Sequence, residues 1–165
     1  MSSSTREALS AAVITVSDSC ARGERQDLSG PAVAEFLRGH DFSVVGTQIV
    51  ADEAEAIQQA ILHWVPQVRL VVTTGGTGIG PRDVTPEATR AVCDRILEGV
   101  SERMRLEGSK TTPFAALSRA VCGVRGKALI LNLPGSPSGA VDSLASVIDL
   151  LPHALQLLAG ETHHN

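Results

Sequence analysis

Three short runs of this chain are apolar almost without interruption: Ala11–Ser17, Leu70–Thr74 and Ala128–Leu133. A strand that turns one face to water alternates apolar and polar residues, whereas a strand apolar throughout must be covered on both faces. A fourth run, Phe42–Val50, is more mixed. Helix signals fall between the runs. Ser29-Gly30-Pro31 opens one helix with Ser29 as N-cap, and Gly39 is its stop. Asp52-Glu53-Ala54-Glu55 opens a second with capping-box spacing, which places Asp52 at the cap and the end near Val65, before Pro66. Thr85-Pro86-Glu87 opens a third, with proline at the first helical position. Thr112-Pro113 opens a short fourth, through about Ala120. Ser138-Gly139 starts a long C-terminal helix that Pro152 kinks or restarts, with Gly160 near its end. Alternating strands and helices of this kind predict an α/β domain of three layers around a mainly parallel central sheet.

Composition narrows what such a domain can bind. Aromatic residues are 2% of the chain, with no tyrosine and one tryptophan, which argues against the stacking platforms of nucleic-acid binders. The net charge of −4 also lacks the basic footprint of a polyanion partner, so no nucleic acid is expected. Cys20, Cys93 and Cys122 show no C-x-x-C or zinc spacing, and no H-E-x-x-H is present, so three packed thiols in a reducing compartment are expected. The 165 residues are expected to form one domain, with residues 1–10 as a polar N-terminal tail. The run Ala11–Val16 is far too short for a signal or membrane helix. A cytoplasmic protein without membrane contact is therefore expected.

The chemistry concentrates where the strands end. Leu70–Thr74 runs into Gly75-Gly76-Thr77-Gly78-Ile79-Gly80, then Pro81-Arg82-Asp83, then the helix start at Thr85. Strand, glycine loop and helix N-terminus form an anion-binding device, because glycines let backbone N–H groups approach a phosphate. No lysine follows as in a P-loop, and a G-x-G-x-x-G reading fails at Pro81. Asp83 is out of place beside a phosphate unless a cation sits between them. Other polar groups also follow strand ends: Ser17-Asp18-Ser19, Asp52 and the Asn132–Gly139 loop. Ligands of such sheets bind beyond the carboxyl ends of strands. The polar stretch Ala21–Leu28 is expected to be a mobile loop nearby.

Eight segments occur together in one order: Val16-Ser17-Asp18-Ser19, Asp27-x-Ser29-Gly30, Asp52-Glu53, Thr74–Gly78, Pro81–Ala88, Leu117-Ser118-Arg119, Gly123-x-Arg125-Gly126-Lys127 and Asn132-Leu133-Pro134-Gly135. In this combination the chain resembles the molybdopterin adenylyltransferases of molybdenum cofactor biosynthesis, from about Ala12 to Gly160. It is also similar to the molybdopterin-binding domain of gephyrin. The resemblance implies Mg2+-dependent transfer of AMP from ATP to the terminal phosphate of molybdopterin, with release of pyrophosphate. It implies Asp52 and Asp83 as catalytic and metal-binding carboxylates. It implies Ser17, Asp18, Thr74, Gly75, Gly76, Thr77 and Gly78 as phosphate and nucleotide contacts. Ser118, Asn132, Pro134 and Gly135 are implied as further substrate contacts, Ser118 in a motif associated with the pterin. It further implies a homotrimer and hand-over of product to a molybdenum insertase.

Plainer readings stand beside these. Asp52 can be a helix cap, Asp83 a turn residue, Ser118 a helical surface serine and Pro134-Gly135 a simple turn. Arg82 and Arg119 read as surface charges. The family also holds a binding paralogue of uncertain catalytic role, and the gephyrin likeness leaves an oligomeric scaffold as a further alternative.

Overall fold

A computed structural model describes residues 9–161, so most of the polar N-terminal tail and the His163-His164 pair lie outside the described residues. Six strands form one sheet: β1 (Leu9–Val16), β2 (Phe42–Val50), β3 (Leu70–Thr74), β4 (Arg95–Ile96), β5 (Cys122–Arg125) and β6 (Ala128–Leu133). Their order is β2-β1-β3-β6-β5-β4. β2, β1, β3 and β6 run parallel; at one edge β5 pairs antiparallel with β6, and β4 pairs antiparallel with β5. The mainly parallel three-layer reading is borne out, and the antiparallel edge is new. β5 has four residues, interrupted by Gly123 and ending in Arg125, and β4 has only two, so neither shows a strand signature.

Helices cover both faces. α2 (Ser29–Arg38), α5 (Glu98–Ser109), α6 (Pro137–Val147) and α7 (Leu151–Leu158) lie on one side. They bury Val33, Leu37, Met104, Leu144 and Leu155 against Ala11, Val13, Val72, Leu129 and Leu131 of the sheet. α3 (Ala54–Trp64) and α4 (Thr85–Val92) lie on the other side, with Ile57, Ile61 and Ala88 against Ala12, Ile14, Val71 and Ile130. Alternate residues of the same strands thus serve opposite cores, which is why those runs contain no polar face. The stretch Pro137–Leu158 is long and apolar enough to cross a membrane by length and composition. Here it is interrupted at Ile148–Leu150, and Ala140, Leu144, Val147, Leu151 and Leu155 belong to the core.

Several helix boundaries differ from expectation. Ser29 is the first helical residue, and the cap bond comes from Asp27, whose Oδ1 accepts the Gly30 N–H at 3.0 Å. Asp52 does not cap α3: Glu53 takes that position without a side-chain bond, and the Asp52 carboxylate is used across the sheet instead. The C-terminal helix starts at Pro137, with Ser136 accepting the Gly139 N–H at 3.2 Å. Thr112-Pro113 opens only a 3₁₀ turn, Pro113–Leu117. α5 was not expected, because it buries only Ser101 and Met104 and so has almost no apolar stripe.

The edge strand β2 carries a bulge opposite Ala11/Ala12. Beyond it Gly46 abuts the Cη2 edge of the Trp64 indole, whose Nε1 donates to Gln48 Oε1 at 3.1 Å. A Cβ at Gly46 would enter the ring. Gly46→Ala is therefore expected to destabilise the fold by about 1–3 kcal/mol through overpacking. Thermal unfolding followed by Trp64 fluorescence measures it; an unchanged Tm would mean that the ring has room to yield.

Candidate functional site

The parallel strands end on one rim, where Thr15 pairs with Thr74 and Thr74 with Leu133. From β1 the chain leaves toward β2, and from β3 it leaves toward β6, so a crevice opens between the two exits. Gly75 and Gly76 make the turn out of β3 with φ of 106° and 70°, a region glycine enters without steric cost. A Cβ on Gly75 would collide with the Val16 carbonyl, and one on Gly135 would lie 3.3 Å from the Gly75 Cα. The Gly75 N–H donates to Leu133 O at 3.0 Å, Thr85 Oγ1 donates to Gly75 O at 2.9 Å, and Thr74 Oγ1 donates to Pro134 O at 2.7 Å. Three exit loops therefore meet backbone to backbone. Among the described residues, the N–H groups of Gly76, Thr77 and Gly78 donate to no protein acceptor.

Two carboxylates flank this turn. Asp52 Oδ2 accepts the Asp18 N–H at 2.8 Å, and Asp18 Oδ1 accepts the Asp52 N–H at 2.9 Å, a reciprocal exchange that ties the first two loops. The other Asp52 oxygen faces Gly76, 3.1 Å from where a Cβ would stand. Arg82 forks onto Asp18 with two bonds of 3.0 Å. Asp83 folds into the hollow left by Gly78 and Gly80, accepting the Gly80 N–H at 2.8 Å.

The electrostatics divide these acids. Burial pushes the Asp52 carboxyl above its ordinary value; the Asp18 N–H opposes this, and the negative charges of Asp18 and Asp83 add to it. The Arg82 fork, followed by the Asp52 N–H, holds the Asp18 carboxyl below its ordinary value. Among the described residues no third histidine, cysteine or acid joins Asp52 and Asp83 in a metal-binding cluster.

Two cavities open over the rim. One of about 340 Å³ is lined by Ser17, Thr74, Gly75, Gly76, Asp52, Asp83 and Arg25. The wider, of about 890 Å³, runs over Thr77, Gly78, Ser118, Pro134, Met104 and Leu117. Gly76, Asp83, Gly135 and Ser136 line both, so the cavities are two lobes of one site that meet at Asp83. A third hollow of about 590 Å³, around Arg69 and Lys127, holds none of the predicted site residues.

Most predicted residues come together here, but two do not line a lobe. Asn132 is fully buried: its amide donates to Thr73 and Thr89 hydroxyls at 2.9 and 3.0 Å, and its Oδ1 accepts the Val121 N–H at 3.0 Å. It braces the rim from below. Asp18 gives both oxygens to Arg82 and Asp52 and acts as a tie. Ser17 lines the smaller lobe, and its Oγ also accepts the Cys20 N–H at 3.2 Å, capping α1 (Asp18–Ala21). Ser118 ends the 3₁₀ turn at the wide lobe and accepts the Ala120 N–H at 3.3 Å. The expected mobile loop supplies Arg25, Gln26 and Asp27 to the smaller lobe. Sequence reasoning missed the α5 wall, where Ser101, Met104 and Arg105 share a face at helical spacing. Burial raises the thiols of Cys93 to about 11 and Cys122 to about 12, in keeping with packed, unreactive cysteines.

The family described as a probable molybdopterin binding domain matches residues 12–153. The molybdopterin adenylyltransferase of Helicobacter pylori is 40% identical over 152 residues, which cover 90% of this chain and 86% of that protein. The molybdenum cofactor synthesis protein cinnamon of Drosophila melanogaster is 41% identical over 94% of this chain, which spans only 26% of cinnamon's length. The crystal structure of the molybdopterin biosynthesis enzyme MoaB from Thermus thermophilus superposes with a TM-score of 0.87 at 50% identity, covering 92% of this chain and 97% of that one.

Ionising Asp52 works against folding, since its folded-state affinity for protons exceeds the unfolded one. The folded chain binds more protons, so stability falls as pH rises from the ordinary carboxylate range through the raised value. Asp52→Asn removes that penalty and keeps an oxygen for the Asp18 N–H. The variant is expected to melt no lower than the parent at neutral pH, with the difference shrinking toward pH ~3, below the ordinary carboxylate range. Thermal melts across pH measure this; a clearly lower Tm at neutral pH would make Asp52 a structural anchor.

Proposed function

The chain belongs to the probable molybdopterin binding domain family of molybdenum cofactor biosynthesis, and from that premise we propose that it adenylylates molybdopterin. The terminal phosphate of molybdopterin attacks the α-phosphorus of ATP. A new phosphoanhydride bond forms, the α–β bond breaks and pyrophosphate leaves. The whole of the matched region acts in this reading as one molybdopterin-binding domain.

The observation that carries this reading is the pair of lobes meeting at Gly76, Asp83 and Gly135. A group transfer between two bulky substrates needs separate spaces for their distal parts and one point where the reacting groups meet. Such a reaction is mainly positioning and charge stabilisation. The wide lobe, with Ser118 on its wall, suits the pterin. The smaller lobe, with Arg25 on its wall and the free Gly76 N–H at the junction, suits the nucleotide phosphates. Aligned backbone donors hold phosphate oxygens without a side chain in the way.

The residues fit a magnesium ion. Mg2+ commonly takes one or two carboxylates and completes its shell with water and substrate phosphate. Asp52 and Asp83 are two carboxylates in mutual repulsion, one of them raised by burial, a local potential that a cation relieves. These two residues would hold it, and a bound Mg2+ would neutralise charge on the transferring phosphate. Asp18 and Arg82 keep Asp52 in place, and Gly75–Gly78 hold the phosphates close to it.

A second reading is that the chain binds molybdopterin with little transfer. Turnover separates the two. Asp83→Asn keeps the shape and the bond to Gly80 but removes the charge. Adenylyl transfer is expected to fall by at least ~10²-fold, the scale of losing one electrostatic stabiliser, while molybdopterin binding and Tm change little. Wild-type turnover in this variant at saturating Mg2+ would remove Asp83 from the reaction.

The assembly we propose is a homotrimer in the cytoplasm that hands its product to a molybdenum insertase. Light scattering at micromolar concentration is expected to give three times the chain mass; a monomer would count against it.

A further inference from the structure

We infer that Arg119 is a positioning residue, whose guanidinium fixes the Gly75–Asp83 loop in the shape that presents Asp83 to the junction of the lobes. Four donors of this one residue are committed to that loop and the helix behind it. Its backbone N–H donates to Thr77 O at 2.9 Å, its Nε to Gly78 O at 2.8 Å and its Nη2 to Asp83 O at 2.8 Å. Its Nη1 pairs with Glu87 in the first turn of α4.

The loop needs such a brace. Four of its residues, Gly75, Gly76, Gly78 and Gly80, have no side chain to anchor, and glycine loses the most conformational freedom on ordering. Within the loop, Asp83 and Gly80 bond each other through N–H to carbonyl at 3.0 Å and N–H to carboxylate at 2.8 Å. The Arg82–Asp18 fork and the bonds of Gly75 tie the loop from other sides, and Arg119 adds a restraint at Thr77, Gly78 and Asp83. Asp83 is thereby held at its carboxylate by Gly80 and at its carbonyl by Arg119, which sets the direction of the side chain from two ends.

The planar guanidinium suits this task, because its donors point in fixed directions toward separate carbonyls. An ammonium could carry the charge but could not span Gly78 O and Asp83 O together. The segment that carries Arg119 is itself anchored, since Arg105 Nη1 donates to Ala120 O at 3.3 Å and Ser118 O at 3.4 Å. Arg119 lines neither lobe, so it acts through the loop and not on the substrates.

The inference rests on the proposed role of Asp83, and its test has one arm independent of catalysis. In Arg119→Lys, amide hydrogen exchange across residues 76–83 is expected to quicken while β1, β3 and β6 stay protected. With ATP, Mg2+ and molybdopterin, kcat is expected to drop by at least ~10-fold, because small misplacements of catalytic groups cost that much or more. KM for molybdopterin should stay within about threefold, the mark of an interaction realised in the transition state. Arg119→Ala should regain part of its turnover when guanidinium is added. Unchanged loop exchange in Arg119→Lys overturns the inference. So does wild-type turnover, or activity loss accompanied by faster exchange throughout the sheet. If the parent chain forms no adenylylated product, the functional reading fails, and the loop exchange still decides the role of Arg119.

Discussion

The site depends on the absence of a single carbon atom. Gly75 leaves β3 against the Val16 carbonyl with Gly135 directly over it, and any Cβ there would force the loops apart. Because they touch through backbone, the loops after β1, β3 and β6 share one floor, reinforced by Thr74, Thr85 and the Gly75 N–H. A side chain at that point would divide the floor, and the two lobes would no longer open to a common junction at Gly76 and Asp83.

On that floor the charges are arranged against the interest of stability. Asp52 is half-buried near two other acids and takes up protons more readily than an ordinary aspartate. Arginines answer the repulsion indirectly: Arg82 takes Asp18, and Arg119 takes the carbonyl behind Asp83. Neither arginine pairs with the Asp52 or Asp83 carboxylate. Two carboxylates are thus left with an unmet demand for positive charge, beside a row of free backbone donors that favours an anion. The metal–phosphate ligand proposed for the site would satisfy both demands at once, and sites that bind or react commonly sacrifice folding energy in this way.

Much of the architecture was legible from the chain. The runs Ala11–Ser17, Leu70–Thr74 and Ala128–Leu133 announced doubly buried strands, and polar groups at their carboxyl ends located the rim. The antiparallel edge was not legible, because β4 has two residues and β5 only four, one of them Gly123, too few to show a period. α5 was missed because an amphipathic signal needs more than two buried positions. Asp52 and Ser29 were misassigned as caps for different reasons: the Asp52 carboxylate turns to the neighbouring Asp18 loop, and Ser29 already lies within the helix, whose Gly30 N–H is taken by Asp27. Asn132 looked like a loop contact because it ends a strand, yet strand alternation turns its amide into the core, where Val121, Thr73 and Thr89 use every polar atom.

Local patterns thus determined the element types, the doubly covered sheet and the rim where ligands would gather, since apolar periodicity and glycine chemistry act over a few residues. Which polar groups face the ligand and which hold the frame was decided only in three dimensions. Asp18 meets Asp52 across 34 positions of sequence, and Arg119 reaches Gly78 across 41. Such partners lie beyond the reach of any local period. Hydrogen bonds to backbone carbonyls and N–H groups, moreover, leave no trace in the identity of the residue that supplies them. Arginine reads as surface charge along the chain, and becomes a brace once the fold places carbonyls at the tips of its fork.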